Sequence, residues 1–486
     1  MRSKRVIWLS TIAVLVAVSL TTTVTTLSRR TAHHADAAAP AGVAAATAGR
    51  FIRVPLPADA AVNPHAWLGP VACAAPSRCV AIGSYDDSSG NGQGFLLTGS
   101  VFSWKARKAP IPTNAYAQPD AGLNSIACPS PSGCIVTGSY NAGSYGNRHG
   151  FLLTGSGDSW KAFPIPLPPG VDPLNRSDFG SVVCASPSRC MIPGSYTDPA
   201  GNSQNILAIG SGVAWTAIKA PTQAYEWGAI TCPSSVRCLS AGSYSVDNSS
   251  HQQDVSLLIG VMKSWTVAKI PLPANADPSA KQNSGLNDVS CSSVQVCTAI
   301  GTYTDAGNED GLLAVHQDKA WTAIKAPVPR GTDAPYGTTL WSITCSTSTK
   351  CVAAGTYVDS YQLNQAMIVT GSGAHWTATK APLPGNADPG QPNSVSDIIC
   401  PTTSSCIATG GYTDAHGWDH WMILTRSDGP WTAAELAMPK GAKLFKGNAL
   451  PNGPSVACPT PSICLFTGTY TDSSGHDQGL LLIERS

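Results

Sequence analysis

Apolar residues along the chain fall in short runs bounded by turn formers, and the same set of runs recurs many times. One run leads into a cysteine, as in Leu340-Trp341-Ser342-Ile343-Thr344-Cys345, and a second leaves the next cysteine, as in Cys351-Val352-Ala353-Ala354-Gly355-Thr356-Tyr357. A polar loop rich in Asp and Gly follows, then a third run of the type Gly94-Phe95-Leu96-Leu97-Thr98. A Gly-Ser turn leads to the fourth, of the type Ala320-Trp321-Thr322-Ala323-Ile324-Lys325-Ala326-Pro327. β-Branched and aromatic enrichment between turn clusters predicts strands throughout. No segment carries a sustained helical period. The repeating unit is a sheet of four antiparallel strands.

The cysteines count the repeats. They form eight pairs, Cys73/Cys79, Cys128/Cys134, Cys184/Cys190, Cys232/Cys238, Cys291/Cys297, Cys345/Cys351, Cys400/Cys406 and Cys458/Cys464, all spaced C-x5-C with none left over. First cysteines recur at intervals of 55, 56, 48, 59, 54, 55 and 58 residues, the mark of a structural repeat. Turn formers such as Pro129-Ser130-Pro131-Ser132-Gly133 lie between them, so each pair faces across a hairpin and is read as a disulfide. Zinc ligation is the rival reading. Structural zinc sites usually leave two to four residues between cysteines and would need a partner for every pair.

Proline orders the strands. Pro110 and Pro112, Pro271 and Pro273, Pro327 and Pro329, and Pro382 and Pro384 all belong to the fourth strand, and proline cannot donate into a ladder, so that strand is an outer edge. Lys108, Lys219, Lys269, Lys325 and Lys380 beside it guard against edge-to-edge pairing. The first strand then lines a central channel. Phe51-Ile52-Arg53-Val54-Pro55-Leu56-Pro57 reads as a fourth strand that precedes every cysteine pair, and the chain closes on Gly479-Leu480-Leu481-Leu482-Ile483, a third strand with no fourth after it. The two fragments complete one blade. The expected fold is all-β: an eight-bladed β-propeller of four antiparallel strands per blade, one disulfide per blade, closed by pairing of its N- and C-terminal strands over residues 51–486.

Composition adds the compartment. Arg2, Lys4 and Arg5 precede an uncharged run of 22 residues, Val6 to Leu27, so residues 1–30 read as a signal peptide or an N-terminal membrane anchor. Both remain open. Residues 31–50 read as an Ala-rich flexible spacer. Paired cysteines fit an exported chain, secreted or held at the cell surface, and a monomer is expected. Charged residues make up 12% of the chain, 30 Lys and Arg against 29 Asp and Glu, which leaves no electrostatic footprint for nucleic acid. No cofactor is expected.

Two aromatic positions repeat with the blades: a tyrosine ends the second strand at Tyr85, Tyr140, Tyr196, Tyr244, Tyr303, Tyr357, Tyr412 and Tyr470, and a tryptophan opens the fourth at Trp104, Trp160, Trp215, Trp265, Trp321, Trp376 and Trp431. Residues that serve folding repeat, so both sets are read as packing; a site breaks the repeat.

The segment Leu152-Leu153-Thr154-Gly155-Ser156-Gly157-Asp158-Ser159-Trp160 resembles the Asp-box turn of sialidase-like propellers, and Ser427-Asp428-Gly429-Pro430-Trp431 is nearest to it in carrying the aspartate. The regular C-x5-C pairs are similar to those of uncharacterised secreted bacterial propellers. The sialidase resemblance implies three arginines clamping a carboxylate, a tyrosine nucleophile partnered by a glutamate, and an aspartic acid. Arg78, Arg189 and Arg237 fall in the cysteine turns, on the wrong face, while Arg148, Arg176 and Arg330 fall in loops of the other; Tyr225 and Glu226 are sequence neighbours. No catalytic residue is assigned.

Ligand contact is expected from segments that enter the first strand and loops that join the second to the third. Trp67, Trp227 and Trp341 stand in three of the former and are missing from the other five. The loop Asp414-Ala415-His416-Gly417-Trp418-Asp419-His420-Trp421 departs most among the latter, with Trp418, His416 and His420 as candidates. No metal is assigned, because Asp414 recurs as a turn-capping aspartate at Asp198, Asp305, Asp359 and Asp472. The expectation is a non-catalytic binding or scaffolding propeller for extracellular glycan or a protein partner, with a carbohydrate-active enzyme on the same face as the alternative.

Overall fold

A computed structural model describes residues 49–485, except 145, 174, 221–224, 246–252, 262–263, 279–282, 318–319, 333–335 and 447–453. The expected leader or anchor and nearly all of the Ala-rich spacer lie outside the described residues. Every regular element among them is a strand or an isolated bridge or turn. No helix of the described residues is long and apolar enough to cross a membrane.

Eight sheets follow one another along the chain, each ordered first-second-third-fourth. In blade 1 the strands are Trp67–Ala75, Arg78–Asp86, Gly92–Ser100 and Ser103–Lys108. The first strands of blades 2 to 7 are Gly122–Ser130, Ser177–Phe179 continued by Val183–Ser186, Tyr225–Thr231, Gly285–Cys291, Thr338–Thr347 and Asn393–Ile399. Blade 8 is built from both ends of the fold: Ser455–Thr460, Ile463–Thr471, Asp477–Arg485 and, as its outer strand, Arg50–Arg53. Arg50 opposes Ile483 and Arg53 opposes Leu480, so the closing pair is antiparallel and in the register of the other fourth strands.

The apolar cores lie between blades. Leu68, Val71, Ala81 and Phe95 of blade 1 pack with Leu465, Leu481 and Ile483 of blade 8, which seals the ring with buried apolar surface as well as with hydrogen bonds. Val80, Ile82 and Leu96 on the opposite face of blade 1 pack with Val136, Phe151 and Leu153 of blade 2. First strands touch their neighbours' first strands in turn from blade 4 through blades 8 and 1 to blade 3, which makes them the innermost. Both faces of every sheet are thereby buried, and the third strands read as continuous apolar runs for that reason.

All eight expected disulfides form, each within its own blade, with Cα separations of 3.9–4.0 Å. No cysteine is free. In blades 1, 3, 5 and 6 the two cysteines oppose each other directly across the ladder. Disulfides in this number fit a secreted protein.

The two halves of each bridge differ in exposure. The first cysteine of every pair is half-buried, whereas the second, at Cys79, Cys134, Cys190, Cys238, Cys297, Cys351, Cys406 and Cys464, is buried. The reason is position: the second cysteine opens the second strand, which has a strand on either side and a neighbouring blade against its face. Cys190 packs with Ile135 and Leu152 of the blade before it, Cys297 with Leu239 and Leu257, Cys406 with Val352 and Ile368, and Cys464 with Ile407 and Ile423. Cys238 likewise meets Met191 and Leu207. These sulfurs are part of the inter-blade core and offer nothing to a ligand.

A glycine outside the expected repeat positions is as regular as the cysteines. It stands four residues after the second cysteine, and at Gly83, Gly138, Gly194, Gly301, Gly355 and Gly410 a Cβ would overlap the backbone carbonyl of the facing first strand. The first strand comes that close because it bulges: its register against the second strand slips just after Leu68, Leu123, Leu286, Leu340 and Val395.

Candidate functional site

The connection that leaves each fourth strand docks on the turn between the second and third strands of the next blade, as the bridges Ala60–Asp87, Ala115–Ala142 and Ala387–Asp414 show. These connections, the Asp turns and the starts of the first strands therefore share one face. The cysteine turns occupy the other.

Most chemistry-bearing side chains on the Asp-turn face are engaged in a network that repeats with the blades. In blade 1 the buried Tyr85 hydroxyl donates to Asp59 Oδ1 at 2.6 Å, and Lys108 Nζ reaches Asp59 Oδ2 at 2.8 Å and Asp87 Oδ2 at 3.7 Å. Asp87 in turn accepts from the backbone of Ser89 and Asn91 and from Gln93 Nε2. Burial and the Asp59 carboxylate push the Tyr85 hydroxyl far above its usual range. Blade 5 repeats the scheme with Lys325 between Asp305 at 3.0 Å and Asp310 at 2.7 Å, and with Asn275 on the Tyr303 hydroxyl. Lys108 and Lys325 thus hold Asp turns as well as marking the edge. Tyr140 and Tyr412 likewise donate to Asn114 and Asn386 from the preceding connection.

Blade 7 keeps the network and changes its parts. His420 stands where blade 1 has Gln93, and Glu435 where it has Lys108. Buried His420 faces Glu435 Oε1 through Nδ1 at 2.8 Å and Asp414 Oδ2 through Nε2 at 3.2 Å, and stacks on Tyr412 at 5.2 Å. Burial works against the Asp414 carboxylate, yet the N–H groups of Trp418 and His416, with His420, hold it below its usual range. His420 is therefore tied into scaffold, whereas His416 projects into solvent. Half-buried Trp418 lies under Lys446, whose Nζ is 4.3 Å from the ring centroid. Among the described residues no group of three or more His, Cys, Asp and Glu side chains is arranged to hold a metal ion.

The cysteine-turn arginines are also accounted for. Arg78 and Arg237 donate to Pro131 O at 3.0 Å and Val294 O at 2.7 Å, and Arg189 donates to Ser235 O, in each case a carbonyl of the next blade's cysteine turn. At the nearest Asp-box match, Asp428 itself takes the left-handed backbone (φ 51°) that Gly157, Gly212 and Gly373 take elsewhere, and those three glycines give their carbonyls to Trp160, Trp215 and Trp376.

The inner strands carry a second belt of contacts. At the bulge, Asn124 and Asn287 donate across to the first strand of the next blade, at Phe179 O (3.2 Å) and Leu340 O (2.8 Å). One residue on, Ser125 accepts Val182 N–H and Asp288 accepts Ile343 N–H, again from the next blade. Asp397 accepts from its own neighbour Ile398 and from Ser342 Oγ. Asp288 and Asp397 are walled in by adjoining first strands and remain only partly exposed. Burial, reinforced by Asp397, pushes the Asp288 carboxyl up to about 6 against its two backbone hydrogen bonds; burial raises Asp397 too.

The three irregular tryptophans take three different registers on these strands: Trp67 lies six residues before its cysteine, Trp227 five and Trp341 four. They form no common ring. Trp67 pairs with Ser84, lays its indole against Gly69 of its own strand and is 40% exposed. Trp227 pairs with Gly242. Trp341 occupies the bulge itself, where blades 2 and 5 have the bridging asparagines, and is 48% exposed on the inner strand.

Blade 6 adds two aromatics absent from the sequence expectation. Tyr361, 81% exposed, sits in the Asp turn, and Tyr336, 44% exposed, precedes Gly337, whose carbonyl takes the N–H of Val358 at 3.0 Å. Asp359 caps that turn through Tyr361 and Leu363 N–H, as in other blades. However, Gln362 takes the left-handed position (φ 62°) that Gly90, Gly201, Gly417 and Gly475 fill elsewhere. A side chain there costs on the order of 1 kcal/mol. The signal was available in the sequence as D-x-x-Q against D-x-x-G.

No protein family and no curated protein matches the chain. Its structure is similar to the WD40 domain of SCAP from fission yeast, at 7% identity over 90% of this chain and 98% of that one, with a TM-score of 0.43. A protein of unknown function from Dyadobacter fermentans is 12% identical over 64% of this chain and 95% of that one, with a TM-score of 0.37. A Hadza microbial sialidase is 12% identical over 71% and 74%, with a TM-score of 0.33. Likenesses this distant say nothing of substrate or reaction.

Proposed function

We propose that the chain is an extracellular binding propeller that takes a saccharide through its Asp-turn face and the adjoining mouth of the channel, centred on blade 6. One observation carries the reading: Tyr336, Trp341 and Tyr361 are exposed together on one blade, at positions where other blades have small or hydrogen-bonding residues. Aromatic faces suit the apolar C–H patches of a pyranose, and Gln362 holds a left-handed backbone in the same turn as Tyr361. Trp67 and Trp418 extend the aromatic surface to blades 1 and 7. His416 and His420 play different parts, the first open to a ligand and the second holding the Asp turn.

A carbohydrate-active enzyme on the same face is the weaker reading. Tyr85, Tyr140, Tyr303 and Tyr412, with Lys108 and Lys325 and their aspartates, are engaged in the repeated network, and Arg78, Arg189 and Arg237 are engaged on the far face. The test is a glycan and cell-wall binding screen of the oxidised chain with Trp341→Ala and Tyr361→Ala alongside, and a turnover assay on any hit. Binding lost in both variants without turnover supports the proposal. Turnover abolished by a single carboxylate change replaces it with the enzyme.

A further inference from the structure

The inner wall of the ring has a one-sided charge. Not one of the eight first strands contains a lysine, arginine or histidine, although the chain has 30 Lys and Arg and 10 His. The same strands contain Asp178, Glu226, Asp288 and Asp397. Asp288 and Asp397 flank Ser342, the residue after Trp341, through the contacts Asp288–Ile343 N–H and Ser342–Asp397. Any ligand that stacks on Trp341 therefore lies beside two partly exposed carboxyl groups and no cation of the inner wall. The nearest basic residue along the chain before Tyr336, Arg330, stands at the outer end of that connection, just beyond the edge strand of blade 5.

Resting on the saccharide-binding reading above, we infer that the channel mouth at blades 5 to 7 accepts neutral or amine-bearing saccharides and rejects those that carry a carboxylate. Recognition of a carboxylate or sulfate uses arginine forks, lysines or a helix N-terminus, and the inner wall offers none of these. The hydroxyls and N–H groups of a neutral sugar can instead donate to the free oxygen lone pairs of Asp288 and Asp397, and an ammonium group gains their attraction as well. Like charges brought to ~7 Å at an effective dielectric between protein and water repel by enough for roughly tenfold in affinity. The chemistry separates this site from a sialic-acid or uronate clamp.

The test is calorimetric titration of the full, oxidised chain at low ionic strength with three matched pairs: an N-acetylglucosamine oligomer and its deacetylated glucosamine counterpart, a galactose oligomer and its galacturonate counterpart, and lactose and its sialylated form. The expected result is binding of the neutral or amine-bearing members at least about tenfold tighter than their carboxylate-bearing partners. Raising the salt to about 0.5 M narrows that gap, and Trp341→Ala abolishes all binding. Asp397→Asn, which keeps an oxygen for Ile398 N–H, narrows the gap at low salt. If galacturonate or sialyl-lactose binds as tightly as its neutral partner, with Trp341→Ala still abolishing binding, the charge inference fails and the binding proposal stands. If no saccharide in the set binds, both fail.

Discussion

Ser342 on the first strand of blade 6 donates its hydroxyl to Asp397 of blade 7 at 3.3 Å. From the other side Asp288 of blade 5 accepts the N–H of Ile343 at 2.8 Å, so three blades are clasped around two adjacent residues. The carboxyl of Asp288 titrates near 6 in the folded chain, above the ordinary value of 3.8. A proton held more tightly by the folded state stabilises it most at low pH: the contribution is full below about pH 4 and is lost as pH rises through about 6. Asp397 acts in the same direction. Asp59, Asp87 and Asp414 have lowered values and act in the opposite sense, losing their contribution as pH falls below the ordinary carboxylate range. Thermal unfolding followed from pH 3 to pH 8 is thus expected to show a fall in stability between about pH 4 and pH 6.5, with Asp288 supplying roughly 2–3 kcal/mol. Asp288→Asn flattens that segment. An unchanged slope in the variant would remove the clasp from the account.

Blade 7 tests the repeated network by exchange. Glu435→Lys alone places an ammonium against His420 and leaves Asn386 Nδ2 without its acceptor Glu435 Oε2, at an expected cost of about 1–2 kcal/mol. Adding His420→Gln recreates the arrangement of blade 1, Gln93 with Lys108 around Asp87. The double variant is expected to recover about 1 kcal/mol of that loss in denaturant unfolding. Strict additivity would show that His420 and Glu435 are independent.

The disulfides are expected to act blade by blade. Each closes a loop of seven residues, for which the chain-entropy model gives about 2 kcal/mol. Cys345→Ser with Cys351→Ser should lower stability by at least that amount, since the serine at buried position 351 also brings a hydroxyl into the core, and should leave the ring folded. Peptide mapping without reduction should find every disulfide joining the two cysteines of one hairpin.

Closure of the ring depends on four residues. Ile52 pairs with Leu481 in the middle of the closing strand and packs beside the core shared by blades 8 and 1. Ile52→Pro removes a ladder donor there and is expected to cost about 3 kcal/mol or more, where Ile52→Val costs about 1. A proline variant as stable as the parent would show that Arg50–Arg53 is dispensable.

Much of this fold was legible because the repeat states it eight times. Cysteine spacing told the number of blades, the prolines near Pro327 and Pro382 marked the outer edge, and the surplus strand at Phe51 with the unpaired one at Leu481 foretold the closure. The depth of the second cysteines was not legible, because the turn residues beside them are polar while the packing that buries them comes from the neighbouring blade. The site was less legible still. A period of two along a strand assigns side chains to faces, but the bulge after Leu340 interrupts that period and turns Trp341 outward, and nothing in the local sequence marks it beyond the glycine at Gly355. His420 stands in a polar loop of the sequence as a candidate for ligand contact; its burial against Tyr412 and Glu435, the latter fifteen residues away on the edge strand, is not marked there. Tyr336 and Tyr361 are not distinguished in the sequence, because tyrosine elsewhere in the chain serves packing. Their exposure shows only when the two turns of blade 6 are brought side by side.

Hydrogen exchange of the oxidised chain, with and without a saccharide identified in the binding screen, tests most directly that the ligand sits at blade 6. Protection is expected in the peptides covering 336–347 and 357–365, with weaker effects at 285–291 and 393–399 on the flanking inner strands, and none in the cysteine turns. Protection confined to the cysteine turns, or to the outer strands of blades 1 and 2, would contradict the account.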